Sequence, residues 1–386
     1  MTKKIMILGG DGYIGWSLGI QRAFNTNDDI FLVDSYKKRD YQKTLDISEL
    51  YTTPLLSEKI YLYELITGKH NLKSLSINVA NGKSVDSLID SYKPDVILNA
   101  AHQPSAPLSM KSPQYARETL QNNEMSCLNV LWAVHNHCPN SLVINMGSAG
   151  VYSGIDIDHI PEDKDILVSQ KSCINNSWTP MLATDFYHQS KVNTFGITDL
   201  CVNNWGLNAV TINQSTVFGQ CPINEIDDYR LFSRFNYDHI FGTVLNRFIC
   251  QSVDKYPLTV YGTGEQTTNI ISLCDTLKAL NKVIDMPFES GKHRVFNVYT
   301  HTMSVLDIAN LVASIHNQQT QKIQIISNPR NEPTFTKNGC TRDRSLILDE
   351  EIDDNLLFNT IDKTLALADR FCYSIKPIQF MPTIEW

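Results

Sequence analysis

KIMILGGDGYIGW, residues 4–16, decides how this chain folds. Lys4–Leu8 is a short apolar run that ends in glycines, and a helical pattern follows to about Phe24. A second apolar run, residues 30–33, completes a β-α-β unit. Gly9, Gly12 and Gly15 fall in the turn between strand and helix, where backbone amides and a helix N-terminus can face a pyrophosphate. A side chain there would push the phosphates away. Tyr13 and Ile14 in this turn, and Ala100 at a later strand end, count as further cofactor contacts. Asp34 ends the second strand, about twenty residues after the glycines, where a carboxylate accepts hydrogen bonds from the adenosine ribose and repels a 2′-phosphate. The expected cofactor is therefore NAD. Lys37, Lys38 and Arg39, just downstream, temper that preference over NADP, although a solvated charge run also explains them.

Outward from this unit, apolar runs at residues 95–99, 142–146 and 208–212 are separated by stretches long enough for crossover helices. That alternation predicts an α/β fold with a Rossmann-type, doubly wound parallel sheet. Residues 35–73 form a long insertion, expected as short helices beside the cofactor cleft. Beyond Val217 the pattern is irregular, and residues 229–248 are rich in aromatics. The division expected for 386 residues is a dinucleotide-binding unit over 1–217, rejoined by 258–286. A smaller mixed α/β unit that binds substrate takes 218–257 and 287–386.

Composition narrows the classes. With 42% hydrophobic and 19% charged residues the chain suits a soluble globular protein. A net charge of -8 argues against a nucleic-acid partner, which would need clustered cations. Glycine and aspartate interrupt the first apolar stretch too early for a signal core or a membrane span, so a cytoplasmic setting is expected. Nine cysteines without a CxxC pair read as free, mostly buried thiols. His135, His137 and Cys138 crowd one helix end with no second group at matching spacing, so no metal is expected.

Tyr187, Ser190 and Lys191 stand in FYHQSKV, residues 186–192. The four-residue step from Tyr187 to Lys191 puts both side chains on one helix face. There Lys191 can hold a nicotinamide ribose, and its charge, with that of the oxidised ring, would lower the Tyr187 pKa so that the phenolate acts as base. Ser148 follows the apolar run 142–146 and opens onto the same end of the sheet. Asn213 and Gln214, at another strand end, are expected to contact sugar hydroxyls.

Glycine turn, Asp34, Ser148 and the Tyr187/Lys191 pair follow the order of the extended short-chain dehydrogenase/reductases, and longer stretches resemble one branch, the UDP-sulfoquinovose synthases. These stretches include GGDGYIGW (9–16), ITGK (66–69), SAPLSM (105–110), NNEMSCLNVL (122–131), YDHIFGTVLNRF (237–248), PLTVYGTGEQT (257–267), NPR (328–330) and a closing MPTIEW. The resemblance implies a UDP-hexose substrate and a homodimer formed through the helices that carry the YxxxK motif. It implies oxidation at C4, loss of the C5 proton and C6 hydroxyl, and addition of sulfite at C6 before the C4 hydroxyl is restored. Tyr187 would be the C4 base, Ser148 would share its hydrogen bond, and His188 would be the acid/base for the elimination. Arg247 and Arg330 would meet the diphosphate. Gln103, Ser105 and Thr243 match motif positions at the substrate, and Asn78 the position of an adenine-contacting Asp.

The chain departs from the branch at several of these positions. Gln103, Pro104 and Ser105 replace an Arg-containing QRSAP, and Thr268 replaces the arginine of QTRG. Val151 stands for a Glu, and Asp185 stands where Ser is usual, a carboxylate expected to repel sulfite. The nucleophile is left open by these changes. Alternatives are a nucleotide-sugar 4-epimerase, which GSAGVYS resembles, or a dehydratase, although Ala149 and Gly150 replace the Asp-Glu pair of 4,6-dehydratases. From another class, a non-catalytic NAD-binding scaffold or sensor stands against the intact Tyr187/Lys191 pair.

Overall fold

The computed structural model describes residues 2–154, 159–160, 162, 166–170, 173–177, 181–223, 226–316, 321–330 and 341–385. Met1 and Trp386, the last residue of MPTIEW, lie outside the described residues. Seven strands form the main sheet: β1 (Lys4–Leu8), β2 (Asp29–Asp34), β3 (Leu72–Ser76), β4 (Val96–Asn99), β5 (Leu142–Met146), β6 (Asn208–Gln214) and β7 (Lys292–Val298). Their order is 3-2-1-4-5-6-7 and every pairing is parallel. The fold is therefore the doubly wound Rossmann type expected.

The sheet is buried on both faces. The pleat sends Ile5 and Ile7 into one core with Trp16 and Leu18, and Met6 and Leu8 into the other with Val85 and Val130. The helices α1 (Tyr13–Asn25), α2 (Lys37–Thr44), α3 (Leu56–Thr67), α4 (Gly82–Tyr92), α5 (Ala106–Met110), α6 (Pro113–His137) and α7 (Phe186–Trp205) follow in chain order. Residues 35–73 contain the helices expected of them, but their end leads into β3, which the sequence reading missed. Lys73, Ser74 and Ser76 make this edge strand polar, so it lacks the continuous apolar run of a central one.

After β6 the chain builds a smaller sheet from residues Thr216–Phe218, Thr267–Ser272 and His301–Ser304. Around it pack α8 (Val244–Val253), α10 (Val305–Ile315) and α11 (Asp354–Arg370), with Phe218, Phe248, Ile308 and Ile361 in their core. Between α8 and α10, helix α9 (Leu273–Ile284) returns to pack on α1. The Arg22 guanidinium holds Asp285 just past its end, at 2.8 and 2.9 Å. Strand β7 corrects one expected boundary: residues 292–298, assigned to the smaller unit, pair with β6 from Lys292↔Asn208 onward.

The thiols need a second correction. Cys221 and Cys274 form a disulfide across 53 residues of sequence, a separation that offers no spacing cue. Cys127, Cys138, Cys201, Cys250 and Cys372 are free. His137 pairs with Asp86 at 2.8 Å, and His135 stacks on Trp205. No helix among the described residues is long and apolar enough to cross a membrane.

Candidate active site

Strand ends β1, β2, β4, β5 and β6 open onto a cleft of about 560 Å³ between the two units. At its floor Gly9 adopts φ +86°, and a Cβ there would stand 2.6 Å from Ala100 O. Gly12 caps α1 without a side-chain hydrogen bond, so the amides at the helix start face the cleft uncovered. Gly9, Gly12, Tyr13, Ile14, Gly15, Asp34 and Ala100 all line it. Asp34 accepts from the amides of Asp11 and Tyr36 at 2.9 and 2.7 Å. Burial pushes its carboxyl upward while these two amides oppose that shift. A dinucleotide fits this set: backbone without side chains for the phosphates, and a carboxylate for the ribose. Asn78 does not join it, because its side chain is exposed and turns back to the Ala80 amide, leaving Ile77 and Val79 on the wall.

The charge run behind Asp34 is structured, contrary to the solvated reading. Arg39 grips both carboxylate oxygens of the buried Asp11 at 2.7 and 2.8 Å, and Arg234 reaches the same Asp11 at 2.9 Å. Lys38 donates to Asn236 at 2.8 Å.

Farther along the cleft, α7 presents Tyr187, His188 and Lys191 beside Ser148. Lys191 Nζ donates to Met146 O at 2.7 Å and meets His102 Nδ1 at 2.8 Å. Burial pulls this amine down to about 7. Burial also pushes the Tyr187 phenol up, as does the nearby Asp185 charge, while a hydrogen bond to Ser148 pulls the other way. The shift expected from sequence belongs to the state with an oxidised nicotinamide beside Lys191. In the protein alone, burial is the largest influence on both the amine and the phenol.

The substrate-side residues divide. Gln103, Gln214, Thr243 and Arg330 line the cleft. Gln103 spends its side chain internally, on Ser105 and Thr119. Ser105, Asn213 and Arg247 are not among the lining residues, which corrects three expectations. Ser105 caps α5 and donates to Ile240 O at 2.6 Å. Asn213 alternates away from Gln214 and donates to Asn297 on β7 at 3.3 Å. Arg247 is buried with its guanidinium 4.4 Å from the Tyr261 ring centre. Asp185, expected to repel an anion, is also absent from the lining, its carboxylate being buried beneath His188.

Several residues escaped the sequence reading. His102, which holds Lys191, follows β4 in AAHQP. Gln214 Oε1, Ser215 Oγ, Thr243 Oγ1, Thr267 Oγ1 and Asn269 Nδ2 are buried and without a partner, and all belong to lining residues. Such a group of orphaned polar atoms suits a hydroxyl-rich ligand. Gln214 and Thr243 were named from the sequence, and the signal for Ser215, Thr267 and Asn269 was their place in TINQST and GEQTTN, beside strand ends.

A dinucleotide cleft of this form, with a tyrosine and a lysine one helical turn apart beside it, belongs to a defined class of proteins. The chain is a member of the NAD dependent epimerase/dehydratase family, whose model matches residues 5–298. Within that family it falls in the UDP-sulfoquinovose synthase-like branch. It is 29% identical over 388 residues to the chloroplastic UDP-sulfoquinovose synthase of Spinacia oleracea, covering 100% of this chain and 79% of that one. It is 30% identical over 331 residues to the UDP-sulfoquinovose synthase of Sulfolobus acidocaldarius, covering 85% of this chain and 83% of the other. Among solved structures, the UDP-glucuronic acid 4-epimerase of Bacillus cereus with UDP-glucuronic acid and NAD superposes with a TM-score of 0.66 at 16% identity, over 97% of this chain and 100% of that one. At that identity the likeness speaks for the fold.

Proposed function

We propose that this chain is an NAD-dependent enzyme that remodels the hexose of a UDP-sugar by the route of the UDP-sulfoquinovose synthases. The observation that carries the reading is the convergence of Tyr187, Ser148, Lys191 and His188 on one wall of a cleft whose other end is the glycine turn. The α1 amides, Asp34 and Lys191 would hold NAD, which when bound would supply the hydride acceptor for C4. Tyr187 takes the C4 hydroxyl proton, and Ser148 hydrogen-bonds the same oxygen. The C4 ketone then acidifies the C5 proton, which His188 faces. Thr243, at the uncapped start of α8, and Arg330 face the diphosphate. Gln214, Ser215, Thr267 and Asn269 supply the orphaned polar atoms for the remaining hydroxyls.

The test is incubation with NAD and UDP-glucose, with and without sulfite, followed at the reduced-nicotinamide band and by product mass. The expected product exchanges a hydroxyl for a sulfonate. Tyr187→Phe should reduce turnover on the order of 1000-fold while leaving NAD affinity intact, since it removes a proton acceptor and little packing. Full activity in that variant sinks the assignment. Pro104 and Thr268, neutral where the branch carries arginine, favour a second reading, 4-epimerisation, which would give a product of unchanged mass. Binding without any nicotinamide change would mark a scaffold.

The homodimer belongs to the same proposal. Helices α6 and α7 pack together and leave Trp132 47% and Leu200 61% exposed, an apolar face that a second copy's pair would cover.

A further inference from the structure

The start of α7 carries a pair of groups that the C4 chemistry does not use. Asp185 caps the helix: its Oδ1 accepts from the His188 amide at 2.8 Å, and its Oδ2 lies 2.6 Å from His188 Nδ1. The carboxylate side chain is 1% exposed, whereas the imidazole lines the cleft. Gly150 makes the seat for that ring, because a methyl at this position would overlap Nε2. Burial raises the Asp185 carboxyl, but His188, through its charge when protonated and the hydrogen bonds from its ring and amide, together with the Arg330 charge, outweighs it and holds the group below its ordinary value. An ionised carboxylate only accepts hydrogen bonds, so the proton of a neutral His188 must sit on Nδ1, and Nε2 keeps its lone pair at the cleft.

We propose that Asp185 is a positioning residue, which fixes His188 in the Nδ1–H tautomer and balances the imidazolium formed when Nε2 accepts a proton from the bound sugar. Naming that proton as the one on C5 rests on the function proposed above. In the step, the Nε2 lone pair takes the C5 proton and the C5–H electron pair becomes the C5=C6 bond. The C6–O bond breaks, and the departing hydroxide takes the proton back from Nε2 and leaves as water. No other reactant is consumed. The buried charge beneath the ring stabilises the imidazolium between the two transfers, the part a carboxylate plays behind the histidine of a Ser-His-Asp triad.

Asp185→Asn separates this role from the helix cap. Its amide oxygen still accepts from the His188 amide, while its NH₂ replaces Oδ2 and donates to Nδ1, which drives the ring proton to Nε2. The full chain labelled with 15N-histidine gives the tautomer directly by long-range 15N–1H NMR, with the His188 signals identified by their loss in His188→Gln. We expect Nδ1–H in the parent and Nε2–H in the variant. In deuterated water with UDP-glucose, deuterium entry at C5 should fall on the order of 1000-fold in the variant, while the nicotinamide absorbance change persists. Asp185→Ser, which keeps a cap without a carboxylate, should lose the Nδ1–H preference. A parent protein with its His188 proton on Nε2 overturns the inference, as does an Asp185→Asn variant with unchanged tautomer and exchange. Equal loss of exchange and nicotinamide reduction would mark Asp185 as structural only. If the parent neither reduces nicotinamide nor exchanges C5, the functional reading falls while the tautomer still decides the role of Asp185.

Discussion

Gly150 is held to glycine by a neighbour and not by its own backbone. Its φ is not in the left-handed range, yet an added methyl would overlap the imidazole edge of His188. Gly150→Ala should therefore swing the ring off the cleft wall and lower turnover on the order of 100-fold, with the melting temperature little changed. Steady-state rates set beside calorimetry check this, and unimpaired turnover would mean that the ring's placement is irrelevant. The same scale shows what a sequence can disclose about a site. Tyr187, Lys191 and Ser148 were legible because a helical step of four and the end of an apolar strand fix direction as well as position. Ser105 and Arg247 were misplaced because a motif match gives position alone, and Asn213 because the pleat turns it away from its strand-end neighbour Gln214. One caps α5, one points along the sheet to Asn297, and one stacks on Tyr261. His102 and Asn269 were passed over because no spacing connects them to their partners.

Among the elements, α3 carries the least expected residue. Lys59 is fully buried, with Nζ 4.6 Å from the Trp16 ring centre and donating to Phe232 O at 3.0 Å. Burial draws its amine down from 10.5 to about 7. The folded protein thus gives up this proton near pH 7, and the unfolded chain keeps it to near 10.5. Between those values the unfolded state binds more protons, so stability rises with pH, and below about 7 the whole penalty is present. Lys59→Met should remove that slope and stabilise the protein most at low pH, by a few kcal/mol at most, since the indole face and the carbonyl already repay part of the desolvation (~1.4 kcal/mol for each pH unit). Denaturation across pH 6 to 10 checks it, and parallel curves for the two proteins would refute it. The elements themselves were read with uneven success for one reason. Central strands carry a continuous apolar run and stand out, whereas edge strand β3 alternates with polar residues and reads as loop. Strand β7 was assigned elsewhere because its pairing with β6 spans a long excursion through the smaller unit.

At the scale of the molecule, a parallel, doubly wound sheet followed from strand and helix alternation, but its strand order and the assembly of the cleft from both units did not. If α6 and α7 join two copies, Trp132→Glu with Leu200→Glu should turn a dimer into a monomer in sedimentation without changing nicotinamide binding. A parent protein that sediments as a monomer would refute the pairing. The ion-pair bracket on Asp11 has a separate consequence. Arg39 comes from the insertion after β2 and Arg234 from the smaller unit, and both close on the aspartate inside the glycine turn. Breaking one partner of such a buried set costs about 3–5 kcal/mol. If a dinucleotide seats against this bracket, those bonds would hold the glycine turn closed on it, so it should behave as a permanent tenant and outlast many sugars. Chromatographed protein is expected to carry close to one NAD per chain, measured after denaturation, and Asp11→Ala should shed it. The molecule would then spend the same borrowed hydride on the sugar from which it came, needing no outside supply of oxidising power from one turnover to the next.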